Sequence, residues 1–383
     1  MLAHSLEFAP DLDEAIFAAV PAASAVFLLR ANDASEPYIS KTSNLRRRLQ
    51  RLLAMPTEHT KRLNLRHQVR QIEYTPTGSD FESGFLLYKV LREIFPKKYS
   101  ERMRLRFAPL IKFHLDNAYP RASITTRIGR LNGASVYYGP FPSRAFAEQF
   151  ASDSLDFFKM RRCVDDLHPD PQFPGCIYSE MKMCLAPCFK GCTDEEYAGE
   201  VNRVKNYFDS GGDSLVREIS SARDSASTDL DFENAAALHT RVEKLKSVQG
   251  RLPEVFQRID RLNGLIVQPS SNPECVALFS VSAASISCPI NFPIQPAEAA
   301  QARSMEARIQ SALEAVAREQ TKSALETSEH LAILSRWFFR SSRMGEIFLE
   351  DSNGELPMRR VVRGVSRVYR RERPENVIAS PPI

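Results

Sequence analysis

Four cysteines gathered in one short stretch constrain this chain more than any other feature. Cys163, Cys176, Cys184 and Cys188 are separated by twelve, seven and three residues, and the last three sit in the tight settings Pro174-Gly175-Cys176-Ile177-Tyr178, Lys182-Met183-Cys184 and Ala186-Pro187-Cys188. Cys192 follows as a fifth candidate. Four thiolates closing on one centre form a ligand set for zinc or for an iron–sulfur cluster. Zinc sites prefer two pairs of ligands, each spaced by two to four residues. Only the last pair here is that close, so the spacing suits a cluster held by four thiolates at least as well. The competing readings are buried free cysteines and a disulfide framework. Such frameworks belong to small secreted domains, whereas this chain is 383 residues long and opens with Met1-Leu2-Ala3-His4-Ser5-Leu6-Glu7, which does not read as a signal peptide.

A chain of this length exceeds one compact core, so a multidomain α+β protein is expected. Hydrophobic residues at 43% and charged residues at 26% describe an ordinary soluble protein. No run approaches the roughly eighteen apolar residues that cross a bilayer, so no membrane partner and a cytoplasmic location are expected. The formal charge of +4 is small but unevenly placed. Between Lys41 and Arg70 lie Arg46, Arg47, Arg48, Arg51, Lys61, Arg62, Arg66 and Arg70 against one acid, Glu58. Such a stretch suits a phosphate backbone or is a solvated helix face. DNA is the partner expected from it, with Arg46, Arg47 and Arg51 as the binding set.

Local patterns order the chain. Asp11 to Val20 reads as a helix ended by Pro21. Ala25 to Arg30 and Pro37 to Ser40 read as the strands of a hairpin turning through Asn32-Asp33-Ala34-Ser35. Asn44 caps a helix with the apolar face Leu45, Leu49, Leu52 and Leu53. A helix follows at Glu82 to Tyr88, and a strand at Ser123 to Thr126. Val136 to Phe141 reads as a turn before a helix from Ser143 through Phe158. Thr193-Asp194-Glu195-Glu196 is a capping pattern for a helix through Phe208. Helices from Ser214 and Phe232 form a hairpin whose seam is Phe232, Leu238, Val242 and Leu245. Beyond Arg251, Gly264 to Val267, Cys275 to Val281 and Ile286 to Ile294 read as antiparallel strands. A long helix over Pro296 to Glu326, another over Glu329 to Arg340, a strand at Gly345 to Leu349 and a basic helix over Pro357 to Arg371 complete the pattern. Trp337 is expected in the core, and the tail from Arg373 is expected to be disordered.

The cysteine stretch, with Cys184-x-Ala186-Pro187-Cys188 followed by Glu195-Glu196-Tyr197, resembles that of UvrC, the incision subunit of bacterial nucleotide excision repair. The order of motifs from about Ala25 to about Gly250 follows the same family, including Val136-Tyr137-Tyr138-Gly139-Pro140-Phe141 and the UVR-like Phe232-Glu233-Asn234-Ala235-Ala236-Ala237-Leu238. The resemblance implies a 4Fe-4S cluster on Cys163, Cys176, Cys184 and Cys188, with zinc as the alternative, and a UvrB-like partner for the helical hairpin. His239-Thr240 replaces the Arg-Asp of the UVR pattern.

The strand–turn–strand–helix opening resembles a GIY-YIG nuclease domain. Ala25-Val26-Phe27, Tyr38-Ile39-Ser40-Lys41 and Asn44-Leu45-Arg46-Arg47-Arg48-Leu49 stand at its motifs. The resemblance implies Tyr38, Lys41 and Arg48 as catalytic residues, Tyr38 activating water and the two cations stabilising phosphorane charge. Phe27 lacks the hydroxyl of the first motif, and Ser40 replaces a glycine. Where that family carries the glutamate that holds its single Mg²⁺, this chain has Leu87 or Tyr88, according to register, and Ser100 stands in place of an asparagine. Magnesium wants hard oxygen ligands, so its site is expected to be lost unless Glu82 or Glu93 substitutes. The expected organisation is a GIY-YIG-like domain (1–105), a linker and four-cysteine region (106–195), a UVR-like hairpin (196–250), a mixed α/β domain (251–372) and a tail (373–383), without the RNase H-like and helix-hairpin-helix half of UvrC. Three readings follow from it: a UvrC-like DNA-binding nuclease of nucleotide excision repair, a catalytically inactive DNA-binding adaptor that keeps the cluster and the hairpin, and an iron–sulfur or zinc module whose cluster is structural and whose DNA role has lapsed.

Overall fold

The computed structural model describes the chain apart from residues 1, 32–34, 56–62, 130–134, 165–166, 296–302, 316–322 and 373–383. The expected turn at Asn32-Asp33-Ala34, the basic residues Lys61 and Arg62, and the tail therefore lie outside the described residues. No described helix is long and apolar enough to cross a membrane.

The N-terminal lobe contains β1 (His4–Glu7), α1 (Asp13–Ala19), β2 (Ala25–Ala31), β3 (Tyr38–Thr42), α2 (Leu45–Leu53), β4 (Val69–Pro76) and α3 (Asp80–Ile94). Its antiparallel sheet runs β1-β4-β2-β3. Strand β2 is internal because Ala25 to Leu29 is a continuous apolar run, and all five residues are buried. Asn44 takes extended backbone, and its side chain accepts the Arg47 N–H, so α2 starts where the sequence places it. Leu45, Leu49, Leu52 and Leu53 then pack against Phe27, Leu29 and Ile72 of the sheet.

The middle of the chain supplies α4 (Tyr99–Met103), β5 (Leu110–Phe113), β6 (Ala122–Thr125), β7 (Val136–Gly139), α5 (Arg144–Leu155), α6 (Ile177–Glu180), α7 (Asp194–Asp209), α8 (Asp213–Thr228), α9 (Phe232–Gln249) and β8 (Gln257–Arg258). The strands form a second antiparallel sheet, β6-β5-β7-β8. Tyr137 and Tyr138 lie within β7 rather than in a turn, because aromatic residues fit a half-buried pleated surface; the turn is confined to the residues between Gly139 and the α5 cap, Ser143. Helix α5 ends at Leu155, short of Phe158. Thr193 and Glu196 form a reciprocal capping box on α7. One aromatic-rich core joins the sheet to the hairpin, through Phe113, Tyr138, Phe150, Tyr207, Phe208 and Leu245. Val242 and Leu245 are buried in the hairpin seam as expected. Phe232 is not, because it is the first residue of α9, at the hairpin tip, and stays 66% exposed.

The C-terminal part contains β9 (Gly264–Pro269), β10 (Cys275–Ser282), β11 (Ser285–Ile286), β12 (Ile290–Pro293), α10 (Met305–Glu314), α11 (Ala324–Phe338), β13 (Glu346–Leu349) and α12 (Met358–Tyr369). Its sheet, β11-β10-β9-β13 with β12 also on β10, is antiparallel throughout. The single long helix expected from Pro296 to Glu326 is replaced by separate helices. Ser304 caps α10 and Ser323 caps α11, each side chain accepting a backbone N–H of the first turn. One sheet face is covered by α10 and α12 through Ile309, Val361 and Val365. The opposite face is covered by α11 and by α3 of the N-terminal lobe, whose Phe81, Phe85 and Tyr88 enter one core with Ile266, Phe279 and Trp337. The molecule is thus a multidomain α+β assembly of helical and sheet modules.

Polar contacts fix the α3–α11 junction. The Tyr88 hydroxyl donates to Glu329 Oε2 at 2.7 Å and the Tyr99 hydroxyl to Glu329 Oε1 at 2.6 Å. Arg92 Nη1 donates to the Tyr88 hydroxyl oxygen at 2.9 Å and pairs with Glu326. Burial, reinforced by the Glu329 carboxylate, raises both tyrosines, Tyr99 up to about 12. Gly78 lies so close to the end of β9 that a Cβ there would stand 2.2 Å from Pro269 O and from Ser270 C. Gly78→Ala is expected to push the two backbones apart and cost about 1–3 kcal/mol, read as a lowered denaturation midpoint.

His330, buried beside Phe85 and Tyr88, accepts the Ile286 N–H on Nδ1 at 3.0 Å. Burial holds its pKa down to about 4. An unfolded histidine titrates near 6.5, so between these values the unfolded chain binds a proton that the folded chain refuses. Stability should therefore be complete above pH of about 6.5 and fall by roughly 3 kcal/mol as pH drops to about 4. Chemical denaturation across that window should show a shallower pH dependence in His330→Gln, which keeps an acceptor for Ile286.

Candidate nucleic-acid interface and cysteine region

Strand β3 and helix α2 bring two of the three candidate catalytic residues together. Arg48 Nη2 donates to the Tyr38 hydroxyl oxygen at 2.7 Å, and the Tyr38 ring lies 6.0 Å from that of Phe27. Arg48 Nε is buried with no hydrogen-bond partner. Lys41 does not join them. Three residues apart on one strand, Tyr38 and Lys41 leave opposite faces, and Lys41 pairs with Asp80 at the start of α3. Asp80 is shared with Arg340 beyond α11.

A cleft of about 870 Å³ beside α2 is lined by Thr42, Asn44, Arg47, Arg48 and Arg51. Arg47 and Arg51 are exposed there. Arg46 turns away, its Nε donating to Val20 O at 2.9 Å and its Nη2 to Ala18 O at 3.2 Å, and so satisfies the open carbonyls at the end of α1. Arg66 is likewise structural: it is buried and donates to Leu53 O and Pro10 O at 2.8 and 2.7 Å. The basic stretch therefore divides into arginines that hold the lobe together and arginines that face the cleft.

Helix α3 offers magnesium no carboxylate where the sequence pattern looks for one. Leu87 is apolar, and the buried Tyr88 spends its hydroxyl on Glu329. Glu82 accepts the Gly78 N–H at 2.7 Å, closing the start of the helix, and burial raises its carboxyl above the usual range. At 3.6 residues per turn, Glu82 and Glu93 lie about 140° and 120° around the helix from Leu87. Ser100 is exposed on α4. These residues do not fit a Mg²⁺ site. Sequence reasoning missed Arg102, Arg106, Arg336 and Arg340, which with Lys41 line a second cavity of about 190 Å³ against α11. No local signal marks them, because the cavity forms only when α11 docks.

The cysteine stretch wraps tightly. Gly175, Lys182, Ala186 and Lys190 adopt positive φ, at 90°, 56°, 59° and 59°, and Cys176 stands at the cap of α6. Cys184 Sγ accepts the Ala186 N–H at 3.3 Å, and Cys163 Sγ accepts from Arg161 Nη1 at 3.5 Å. All four thiols are free and partly buried. Burial pushes Cys184 up to about 11, and charge on Cys163, Cys188 and Cys176 adds to the shift, so the four lie within electrostatic reach of one another. Cys192 is raised by burial, then by Glu196, Asp194 and Cys188. Among the described residues, no three His, Cys, Asp or Glu side chains stand as ligands of a single metal ion. In donor chemistry, four thiols fit an iron–sulfur cluster or zinc, either of which would ionise them.

Residues 108–207 match the family model of the UvrC/Cho excinuclease, middle domain. Over a wider span the chain is homologous to UvrABC system protein C at moderate identity. It is 29% identical to that protein from Idiomarina loihiensis over 56% of this chain and 34% of the relative. Against the Pseudomonas syringae pv. syringae protein the identity is 29% over 67% and 41%, and against that of Stenotrophomonas maltophilia 27% over 71% and 44%. The chain spans about a third of the length of the first of these relatives and less than half of the others. No solved structure matches it.

The two groups of arginines should separate experimentally. Arg47→Gln with Arg51→Gln should leave thermal stability unchanged and reduce the slope of log affinity for duplex DNA against log salt by about 2. Arg46→Ala should instead lower the melting temperature, since it leaves helix-end carbonyls unsatisfied.

Proposed function

We propose that this chain is a DNA-binding adaptor of the UvrC type that no longer cuts. Its N-terminal lobe corresponds to a degenerate GIY-YIG domain, the α2 cleft holds the phosphate backbone, and the α8–α9 hairpin is a UVR-like surface for a UvrB-like protein. The observation that carries this reading is the fate of the metal position. Whichever register is taken, that position holds Leu87, which has no ligand atom, or Tyr88, whose hydroxyl is buried against Glu329. A lost sole carboxylate removes the Lewis acid that stabilises a departing oxygen. The Tyr38–Arg48 pair remains and can grip a phosphate through charge-assisted bonds without a metal. Leu230 and Phe232, 71% and 66% exposed at the hairpin tip, support a partner-binding role.

The same reading assigns a 4Fe-4S cluster to Cys163, Cys176, Cys184 and Cys188. Four free thiols in one short stretch are the ligand set that such a cluster takes. When bound, the cluster would tie the cysteine loop together; its four ligands are this chain's contribution.

Two measurements test the proposal. Damaged duplex DNA, incubated with Mg²⁺ or Mn²⁺ alone and with a UvrB-type protein, should be bound and remain uncut; cutting that disappears in Arg48→Ala would show a live nuclease instead. Anaerobically purified protein should contain iron and show a broad blue charge-transfer band that Cys184→Ser abolishes. Stoichiometric zinc without iron would make the centre a structural zinc site, and absence of both metals would remove it.

A further inference from the structure

The second cavity lies where α3 meets α11, and Leu87 forms part of its wall. Around that apolar patch stand Lys41, Arg102, Arg106, Arg336 and Arg340, against one lining acid, Asp80. The cations are not equivalent. Lys41 and Arg340 share Asp80, whose carboxyl sits below the usual range: burial works against this, but the Lys41 and Arg340 contacts outweigh it. Arg102 pairs with Glu36 and stacks on Phe95 at 3.7 Å. Arg106 and Arg336 are exposed and make no hydrogen bond or ion pair among the described residues. The Lys41–Asp80–Arg340 bridge thus fixes two positive heads at the cavity, while the guanidinium forks of Arg106 and Arg336 beside it have no partner among the described residues. Guanidinium forks match the oxygens of a phosphate group bidentately. A volume of about 190 Å³ falls below the roughly 300 Å³ where sites for whole drug-sized ligands begin, and so suits a single phosphate group.

We infer that this cavity is a metal-free phosphate site, built jointly by the N-terminal lobe and α11, that takes a phosphate of a nucleic-acid strand with Arg106 and Arg336 as its principal ligands. The inference rests on the DNA-binding reading for the identity of the strand, but the site itself does not depend on the α2 cleft. Cationic side chains here take over the charge that a metal would otherwise present to the strand.

Trp337, the only tryptophan of the chain, lines this cavity and reports on it. The full chain is titrated with inorganic phosphate, with a short 5′-phosphorylated single strand and with the same strand unphosphorylated, following Trp337 emission and, for the strands, anisotropy of a distal label. A saturable change in Trp337 emission is expected with phosphate and with the strands, and Arg336→Gln or Arg106→Gln should weaken it by about tenfold or more. Arg47→Gln with Arg51→Gln should leave the phosphate-induced change intact. A response to the phosphorylated strand only would make the ligand a terminal phosphate; equal responses to both strands would make it an internal phosphodiester; either supports the site. Strand binding by anisotropy with a silent Trp337, and with wild-type affinity in Arg336→Gln, would overturn the inference while leaving the DNA-binding reading standing. A phosphate response without any strand binding would refute the strand as ligand and overturn the inference, while duplex binding tests the DNA-binding reading separately. Silence to every probe would overturn the site.

Discussion

A buried carboxylate governs this structure. Glu329, 1% exposed, would be prohibitively placed without donors, and it receives two tyrosine hydroxyls, one from α3 and one from α4. Because both donors come from the N-terminal side and the acceptor from α11, the interaction is satisfied only when the two halves dock in one arrangement. The packing around it is apolar and aromatic, with Phe81, Phe85 and Trp337 against the β9–β10 face. The burial provides the driving force, and the carboxylate selects the register.

That constraint accounts for how α3 is used. Tyr88 is the residue that anchors α11, and Leu87, one position earlier, lines the cavity created beside it. Asp80, about two turns before them, bridges Arg340 of the far half and Lys41, which leaves β3 on the face opposite to Tyr38. This face of α3 is the seat of α11. The cleft beside α2, on the other side of β3, keeps Arg47 and Arg51 exposed.

Local chemistry was legible in the sequence; long-range commitments were not. Asn44, Thr193 and Glu196 announced their helices because a capping side chain needs only its own next turn. The apolar run of β2, the strands at Gly264 and Cys275 and the burial of Trp337 were equally readable, whereas the single strand expected from Ile286 to Ile294 is two, β11 and β12, separated at Pro289, which cannot donate to a ladder. Arg46 and Arg47 look alike in the chain, yet one satisfies α1 carbonyls and the other faces solvent, a difference decided by a neighbour 26 residues away from Arg46. Phe232 kept the spacing of a seam residue but lies past the last element that could cover it. The stretch from Pro296 to Glu326 lacks strong breakers, so only Ser304 and Ser323 betrayed two separate helices. The Glu329 site left no local trace, because its donors are 230 and 241 residues away in sequence.

The claim that α3 is a docking surface for α11 rests on the Tyr88–Glu329 contact, and a double-mutant cycle measures that contact directly. Stabilities of the wild type, Tyr88→Phe, Glu329→Gln and the double variant, determined by chemical denaturation at neutral pH, yield the coupling energy. A buried, charge-assisted pair of this kind should couple by about 1–3 kcal/mol. A coupling within about 0.3 kcal/mol of zero would mean that the two side chains act independently and would contradict the account.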